Sequence, residues 1–435
     1  MSTGKEMEAG RSDAALLRYM ERYQTIEENY ITQVETFGLP FQMGNAGKEA
    51  REMRERLLTK GAVFRNNGKS ICTGRISSAC EACAKGVGCA TIYISLICNR
   101  SCYYCFNPNQ EEYECFSRTK SDWRRTLTNW ISQEKNATHV ALSGGEPLLH
   151  KEDTLEFFRL IRSNLKGVHT RLYTAGDLLD EATAEALKEA GLREIRFSLK
   201  LEDDVKTRET ILSSIVLAKK YIPQVMVEMP VIPGTGEEMR TLLKRLDGIG
   251  IYGINLLEFC FPLNNVDEFA KRGFMLKYPP YETLNNYWYA GGLAVDGSET
   301  LCLELLEFSL DQKLSIGVHY CSLENKYTGQ IYKQNTATSQ IPATMLFSDK
   351  DYFLKTVKVF GKDIPKAVRL LNSLGEREYE ENKEYGYLQF HPKHLEYLRS
   401  HGLETAISYN VIELREGGFV IRELKIQPAD GGVEF

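Results

Sequence analysis

Little in this 435-residue chain is extreme, and each shortage excludes a class. No apolar run approaches the ~20 residues that cross a bilayer; the longest, 90–98 around Ile92, Ile94 and Leu96, is far shorter. The opening MSTGKEMEAGRSD is polar and lacks the apolar segment of a signal peptide. Neither sign of charge dominates: 54 Lys and Arg against 59 Asp and Glu leave a net −5, which argues against a general nucleic-acid footprint. With 34 Gly and 13 Pro, collagen-like and broadly disordered chains are excluded. No internal repeat is visible. The expectation is a cytoplasmic protein without membrane or general nucleic-acid association.

Cysteine is plentiful. There are 11, an odd number, and seven lie between Cys72 and Cys105. Dense cysteines staple short secreted chains, but in a long cytosolic one they favour metal and a reducing or anaerobic setting.

Residues 12–38 have helical spacing (Leu16, Leu17, Tyr19, Met20, Tyr23, Ile26) and end near Gly38 and Pro40, followed by a polar stretch to about Ser70. From Thr91, β-rich runs over 92–97, 139–143, 170–174, 194–199, 225–229 and 254–259 alternate with amphipathic segments over 122–133, 154–164, 182–190, 207–220 and 237–247. Asp180 is placed to cap the third of these and Gly191 to stop it. Six βα units imply an α/β fold with a parallel sheet, open or curved into a partial barrel. Catalytic groups then belong just beyond the C-terminal strand ends. A polar patch near Gln334–Gln340 marks a boundary; beyond it helical segments and a hairpin over 406–426 suggest a small α+β domain. The expected divisions are an N-terminal helical extension (1–70), a cysteine strap (71–90), the βα region (91–335) and the C-terminal domain (336–435).

Directly after the first strand stands Cys98-Asn-Arg-Ser-Cys102-Tyr-Tyr104-Cys105. Three thiolates so spaced can hold three corners of a cubane cluster and leave its fourth iron open; zinc shared with neighbouring cysteines is the alternative. The second strand ends in Ser143-Gly144-Gly145-Glu146-Pro147, where glycines admit a ligand close to the backbone and a carboxylate can meet an ammonium group.

CxxxCxΦC with an aromatic at Tyr104, together with GGEP at Gly144–Pro147, resembles the radical S-adenosylmethionine (SAM) superfamily. The resemblance implies a partial (βα)6 barrel. It also implies a [4Fe-4S] cluster on Cys98, Cys102 and Cys105, SAM on its open iron, Gly144–Glu146 at the SAM amine and Tyr104 near the adenine. Reductive cleavage of SAM to a 5′-deoxyadenosyl radical and hydrogen abstraction from a substrate C–H bond would follow, with electrons from a flavodoxin- or ferredoxin-type donor. Strings such as Glu194-Ile-Arg-Phe, Glu228-Met-Pro-Val-Ile-Pro-Gly and His319-Tyr-Cys-Ser resemble radical SAM proteins described as related to pyruvate formate-lyase activating enzyme. More distantly, they resemble the methanogen enzyme that methylates an arginine of methyl-coenzyme M reductase.

Position at strand ends nominates Thr174, Arg196, Ser198, Lys200, Glu228 and Glu258 for SAM or substrate contact, each with an alternative as barrel filling. Upstream, Cys72, Cys80, Cys83 and Cys89 make a second set suited to an auxiliary iron–sulfur cluster, or to mononuclear zinc or iron. Cys115, Cys260, Cys302 and Cys321 stand alone, and His319 reads as a satisfied core histidine. Tyr278, Tyr281, Tyr287, Trp288 and Tyr289 are candidates for a cavity wall. Three functions compete: a radical SAM enzyme for a peptide or protein; one for a small molecule, including a cobalamin-dependent methyltransferase; and a zinc-binding scaffold without catalysis.

Overall fold

The computed structural model describes residues 14–44, 46–280 and 292–429. Two compact units emerge, one within 44–277 and 290–329, the other within 1–43, 278–289 and 330–435. This differs from the division expected from sequence. The N-terminal helix α1 (Ala14–Glu35) belongs with the C-terminal part of the chain, because its Leu16 is buried with Phe360, Ala406 and Ile426. The segment from 46 to 90 belongs with the barrel.

In chain order the larger unit runs α2 (Ala46–Thr59), β1 (Val63–Arg65), β2 (Ser70–Thr73), α3 (Ser78–Cys83), β3 (Cys89–Tyr93), α4 (Trp123–Gln133) and β4 (His139–Ser143). It continues with α5 (Lys151–Asn164), β5 (His169–Thr174), α6 (Glu181–Ala190), β6 (Glu194–Phe197), α7 (Val205–Ala218), β7 (Gln224–Val231), α8 (Gly236–Ile249) and β8 (Gly253–Glu258). After α9 (Ser298–Asp311) and β9 (Gly317–Cys321), helix α10 (Leu323–Asn335) begins. One nine-stranded sheet has the order β1-β2-β9-β8-β7-β6-β5-β4-β3. From β3 to β9 neighbouring strands are parallel. The six predicted βα units are all there, in an α/β partial barrel. Three strands of this sheet were not predicted: β9, a seventh parallel strand, and β2 and β1, which add antiparallel at that edge.

Helix termini follow local chemistry. Asp122, Asp180 and Asp204 accept from the backbone N–H three residues on, and Gly191 and Gly250 end α6 and α8 in left-handed backbone. The helices bury one face on the sheet's outer side: Phe157, Phe158, Leu187, Ile215, Leu243 and Leu306 meet Leu142, Leu172, Ile195, Val227 and Ile254 in one cluster. Residues of the opposite strand face, among them Arg196, Glu228, Asn255 and His319, point into the barrel.

The smaller unit carries a mainly antiparallel sheet built on the strands Leu354–Phe360, Tyr379–Asn382, Tyr387–Phe390, Ala406–Arg415 and Gly418–Pro428. Its last two strands are the predicted hairpin. Among the described residues no helix is long and apolar enough to cross a membrane.

Phe158 on α5 is fully buried in the main cluster. Its replacement by Ala removes about 3–5 kcal/mol of stability by lost transfer energy and cavity formation. Urea unfolding of this variant checks the assignment; a loss under about 1 kcal/mol would be inconsistent with a packed site.

Candidate active site

Strand β3 ends at Tyr93, and Ser95–Cys105 continues as loop beyond its C-terminal end. Two backbone hydrogen bonds join this loop to the turn after β4: Gly145 N–H donates to Ser95 O (3.0 Å) and Glu146 N–H to Ile97 O (2.8 Å). The contact is too close for any side chain. A Cβ on Gly145 would lie 1.9 Å from Ile97 O, and one on Gly144, at φ +109°, 2.6 Å from Ser95 O. Both glycines are therefore required to hold the cysteine loop. Asn107 Nδ2 adds a bond to Gly144 O (2.8 Å).

Each thiol of the loop receives a donor. Arg100 N–H reaches Cys98 Sγ (3.4 Å), Lys200 Nζ reaches Cys102 Sγ (2.6 Å) and Asn107 N–H reaches Cys105 Sγ (3.4 Å). Burial raises the Cys98 and Cys105 pKa values, and these backbone N–H groups oppose the rise. Sulfurs met by N–H donors suit thiolate ligands, so the donor set fits an iron–sulfur cluster. Among the described residues, no three His, Cys, Asp or Glu side chains converge tightly enough to hold a single metal ion. Tyr104 packs edge-on against Phe259, with ring centroids 5.6 Å apart.

Lys200, expected at the rim, is at the loop. Other nominated residues are elsewhere or otherwise engaged. Glu146 does not present a free carboxylate: it accepts from Leu148 N–H (3.0 Å), Thr174 Oγ1 (2.8 Å) and Ala175 N–H (2.6 Å). Burial raises its pKa against these donors. Glu146 and Thr174 thus fasten the turn to β5, with Pro147 buried behind them. Ser198 is half-buried just past β6, and its N–H donates to Thr174 O (2.9 Å). Arg196 is not at the rim: it is 2% exposed inside the barrel, bonded to Glu194, Glu228, Ser77 Oγ (3.2 Å) and Cys80 Sγ (3.3 Å). Glu228 also accepts from Asn255 Nδ2 (2.7 Å). Glu258 takes Lys277 Nζ (2.9 Å) and Leu323 N–H (2.7 Å), capping α10 rather than facing an open site. The reason is register: alternate strand residues face inward, and a strand end displaced by one or two residues changes what each nominee meets.

Sequence reasoning missed Arg100, Asp177 and Asp203. Arg100 Nη1 meets Asp203 Oδ2 at 3.2 Å, its Nη2 lies 3.6 Å from Asp177 Oδ2, and Asn99 Nδ2 donates to that same oxygen (2.7 Å). These pairs tie the cysteine loop to the ends of β5 and β6; no motif announces them. Of the second thiol set, Cys72 lies on β2, Cys80 and Cys83 on α3, and Cys89 begins β3. Among the aromatics, Tyr278 donates to Glu27 (2.8 Å), while Tyr281–Tyr289 lie outside the described residues.

Residues 92–246 match the family model of the radical SAM superfamily, the span that holds both the cysteine loop and the glycine turn. Residues 92–246 are a radical SAM domain. One relative of this chain is a Methanocaldococcus jannaschii protein provisionally named a glycyl-radical enzyme activating enzyme. It is 30% identical over 253 residues, covering 57% of this chain and 63% of its own length. The chain thus spans somewhat under two thirds of that relative. The PqqA peptide cyclase of Granulibacter bethesdensis is 32% identical over 114 residues, or 26% of this chain and 29% of the cyclase. Among solved structures, native anSMEcpe with bound AdoMet is 16% identical, with a TM-score of 0.39, 61% of this chain and 74% of that one covered.

Two outcomes test this geometry. Gly145→Ala forces the cysteine loop off the turn. Iron retained after anaerobic reconstitution is expected to fall several-fold; wild-type loading would contradict the close approach. Elsewhere in the barrel unit, burial alone would raise the Glu299 pKa, but Lys277 (2.7 Å) and Arg54 (2.6 Å) hold it down to about 2. A depressed carboxyl pKa stabilises above the unfolded value of 4.5, and that contribution is lost as pH falls towards about 2. At about 1.4 kcal/mol per unit, the loss over this window is on the order of 3 kcal/mol. Glu299→Gln, already less stable at pH 7, should lack that portion of the acid transition.

Proposed function

We propose that this protein is a radical SAM enzyme acting on a peptide or protein. The observation that carries the reading is the Cys98–Cys105 loop, N–H donors on its sulfurs, bonded to the Gly144–Gly145 backbone at the C-terminal ends of parallel strands. When bound there, a reduced [4Fe-4S] cluster and SAM supply one-electron reductive cleavage, ending in 5′-deoxyadenosine and a hydrogen atom removed from substrate. Cys98, Cys102 and Cys105 are the ligands in this reading. Lys200 sets a positive charge and an N–H donor against the Cys102 sulfur. The Gly144–Gly145 turn, without side chains, holds the cysteine loop against its backbone, and the Tyr104–Phe259 pair walls one side of the site. Arg196, Glu194 and Glu228 hold the interior polar and rigid beneath it.

The peptide or protein class draws on the relatives, one named for peptide cyclisation and one for activating an enzyme. A flavodoxin- or ferredoxin-type donor, a second metal on the upstream cysteines centred on Cys80 and Cys83, and a cytoplasmic, reducing setting complete the proposal.

The deciding experiment is mass spectrometry of the nucleosides formed from SAM by anaerobically reconstituted, dithionite-reduced protein. 5′-Deoxyadenosine from wild type, reduced at least a hundredfold in Cys102→Ala, is the expected result. S-adenosylhomocysteine formed only with added cobalamin would move the reading to methyl transfer. Cluster-replete protein that yields neither nucleoside would refute it.

A further inference from the structure

Several cations in the barrel unit meet acids: Arg196 meets Glu194 and Glu228, Lys277 meets Glu258 and Glu299, and Arg54 meets Glu299. Lys326 does not. It stands half-buried on the first turn of α10, and among the described residues it makes neither a hydrogen bond nor an ion pair.

Local bonds fix that turn. Ser322 caps α10, its Oγ accepting from Asn325 N–H (3.0 Å), and Ser322 N–H donates to Lys69 O (3.0 Å). Asn325 Nδ2 donates to Cys321 Sγ (3.3 Å), while Asn325 Oδ1 accepts from Asn66 Nδ2 (2.7 Å). Leu323 N–H donates to Glu258 (2.7 Å). The stem of Lys326 therefore leaves a backbone held by its neighbours. Cys321, two residues beyond His319, shares the inner face of β9. Of the charges that bear on Cys321, and on Cys260 just past β8, that of Lys326 is the largest. Glu228 on β7 and Glu258 on β8 bear on Lys326 in turn. The ammonium thus stands inside the barrel on the β7–β9 side, beside two thiols.

None of these four groups neutralises it. Burial pushes the Cys260 and Cys321 thiols up to about 12, so both are uncharged at neutral pH even with Lys326 beside them. Glu258 gives one oxygen to Lys277 Nζ (2.9 Å) and the other to Leu323 N–H (2.7 Å), and Glu228 is taken by Arg196 and Asn255 Nδ2 (2.7 Å). Burial works against the charge on Lys326, but these neighbours together outweigh it and its pKa is raised, so it is an ammonium at neutral pH. The first turn of a helix is also where a cation is disfavoured by the helix dipole. A cation drawn partly out of water with no counter-ion costs free energy, and an incoming anion offsets that cost.

We infer that Lys326 binds a carboxylate of the substrate, an acidic side chain or a C-terminal carboxylate, inside the barrel on the β7–β9 side. The inference rests on the peptide or protein reading above and adds a specificity to it. The cysteine loop follows β3, at the other end of the parallel run, so this anchor is separate from the cluster ligands.

Two measurements on the full, anaerobically reconstituted chain test it. The first needs no substrate: crystals are soaked in sodium bromide and anomalous scattering locates the ion. Bromide in contact with Lys326 Nζ in wild type and absent from Lys326→Met is expected. No bromide there in wild type, or bromide kept in Lys326→Met, would overturn the inference. The second incubates protein and SAM with an equimolar library of acetylated peptides varied at one position, half amidated at the C-terminus and half with free carboxylates. Mass spectrometry then identifies what is retained. Wild type should enrich Asp and Glu peptides over their Asn and Gln counterparts, or free over amidated termini, on the order of tenfold, as one charge-assisted contact provides. Which pair separates identifies the source of the carboxylate. Lys326→Met should lose the enrichment and Lys326→Arg should keep it, with circular dichroism and iron content showing that each is folded; Lys326→Gln replaces Lys326→Met if the latter misfolds. Equal retention of acidic and amide peptides by wild type, or enrichment that survives in Lys326→Met, counts against Lys326. Bromide at Lys326 with no peptide retained would end the peptide reading while the anion site stands.

Discussion

The buried Arg196 guanidinium organises the interior of the barrel. It is 2% exposed and binds carboxylates on two strands, the Ser77 hydroxyl and the Cys80 sulfur. A charge so far from water is tolerable only when paired and hydrogen-bonded on every side. That demand fixes where Glu194, Glu228 and α3 sit. Through Glu228 it reaches Asn255, then His319 and Ser70, so that one network spans β6, β7, β8, β9 and β2. His319 is held neutral within it: burial pushes its pKa down to about 3, leaving it to act as a neutral hydrogen-bond link.

Above this layer the constraint is steric. The Gly144–Gly145 turn and the cysteine loop approach so closely that backbone meets backbone without an intervening Cβ. Glu146, which in the sequence looks like a ligand for an ammonium group, spends its carboxylate on Thr174 and Ala175 and so locks the turn to β5. The turn is held from one side by Glu146 and from the other by the loop's carbonyls. Such support from rigid strands is what a site needs if three sulfurs and a cofactor are to keep a fixed geometry.

Much of the fold was legible because it is local. Period-two runs, amphipathic helices, Asp180 as a cap and Gly191 as a stop are readable within a dozen residues, and they produced the six βα units. The strands that extend the sheet were not. Ser70–Thr73 is a four-residue strand whose partners, Val318 to Cys321, lie some 250 positions away, and nothing in its own residues says so. Helix α2, in a stretch read only as polar, is held by packing: Met53 and Leu57 are buried in the main cluster. At the site, the spacing of Cys98, Cys102 and Cys105 and the paired glycines could be read directly. Arg196, Glu228 and Glu258 were nominated by nearness to strand ends, yet each is committed to an ion pair or a helix cap.

The sequence by itself determined that the chain alternates strands and helices, that three cysteines follow the first parallel strand, and that two glycines end the second. Those facts rest on covalent spacing and on backbone stereochemistry, which need no partner. Only the tertiary structure decided which charges neutralise one another inside the barrel and which face each strand residue takes. It also decided that Lys326 stands beside the Cys260 and Cys321 thiols. The reason is that side-chain direction in a sheet is set by pairing, and pairing joins residues whose separation along the chain carries no signal of their contact.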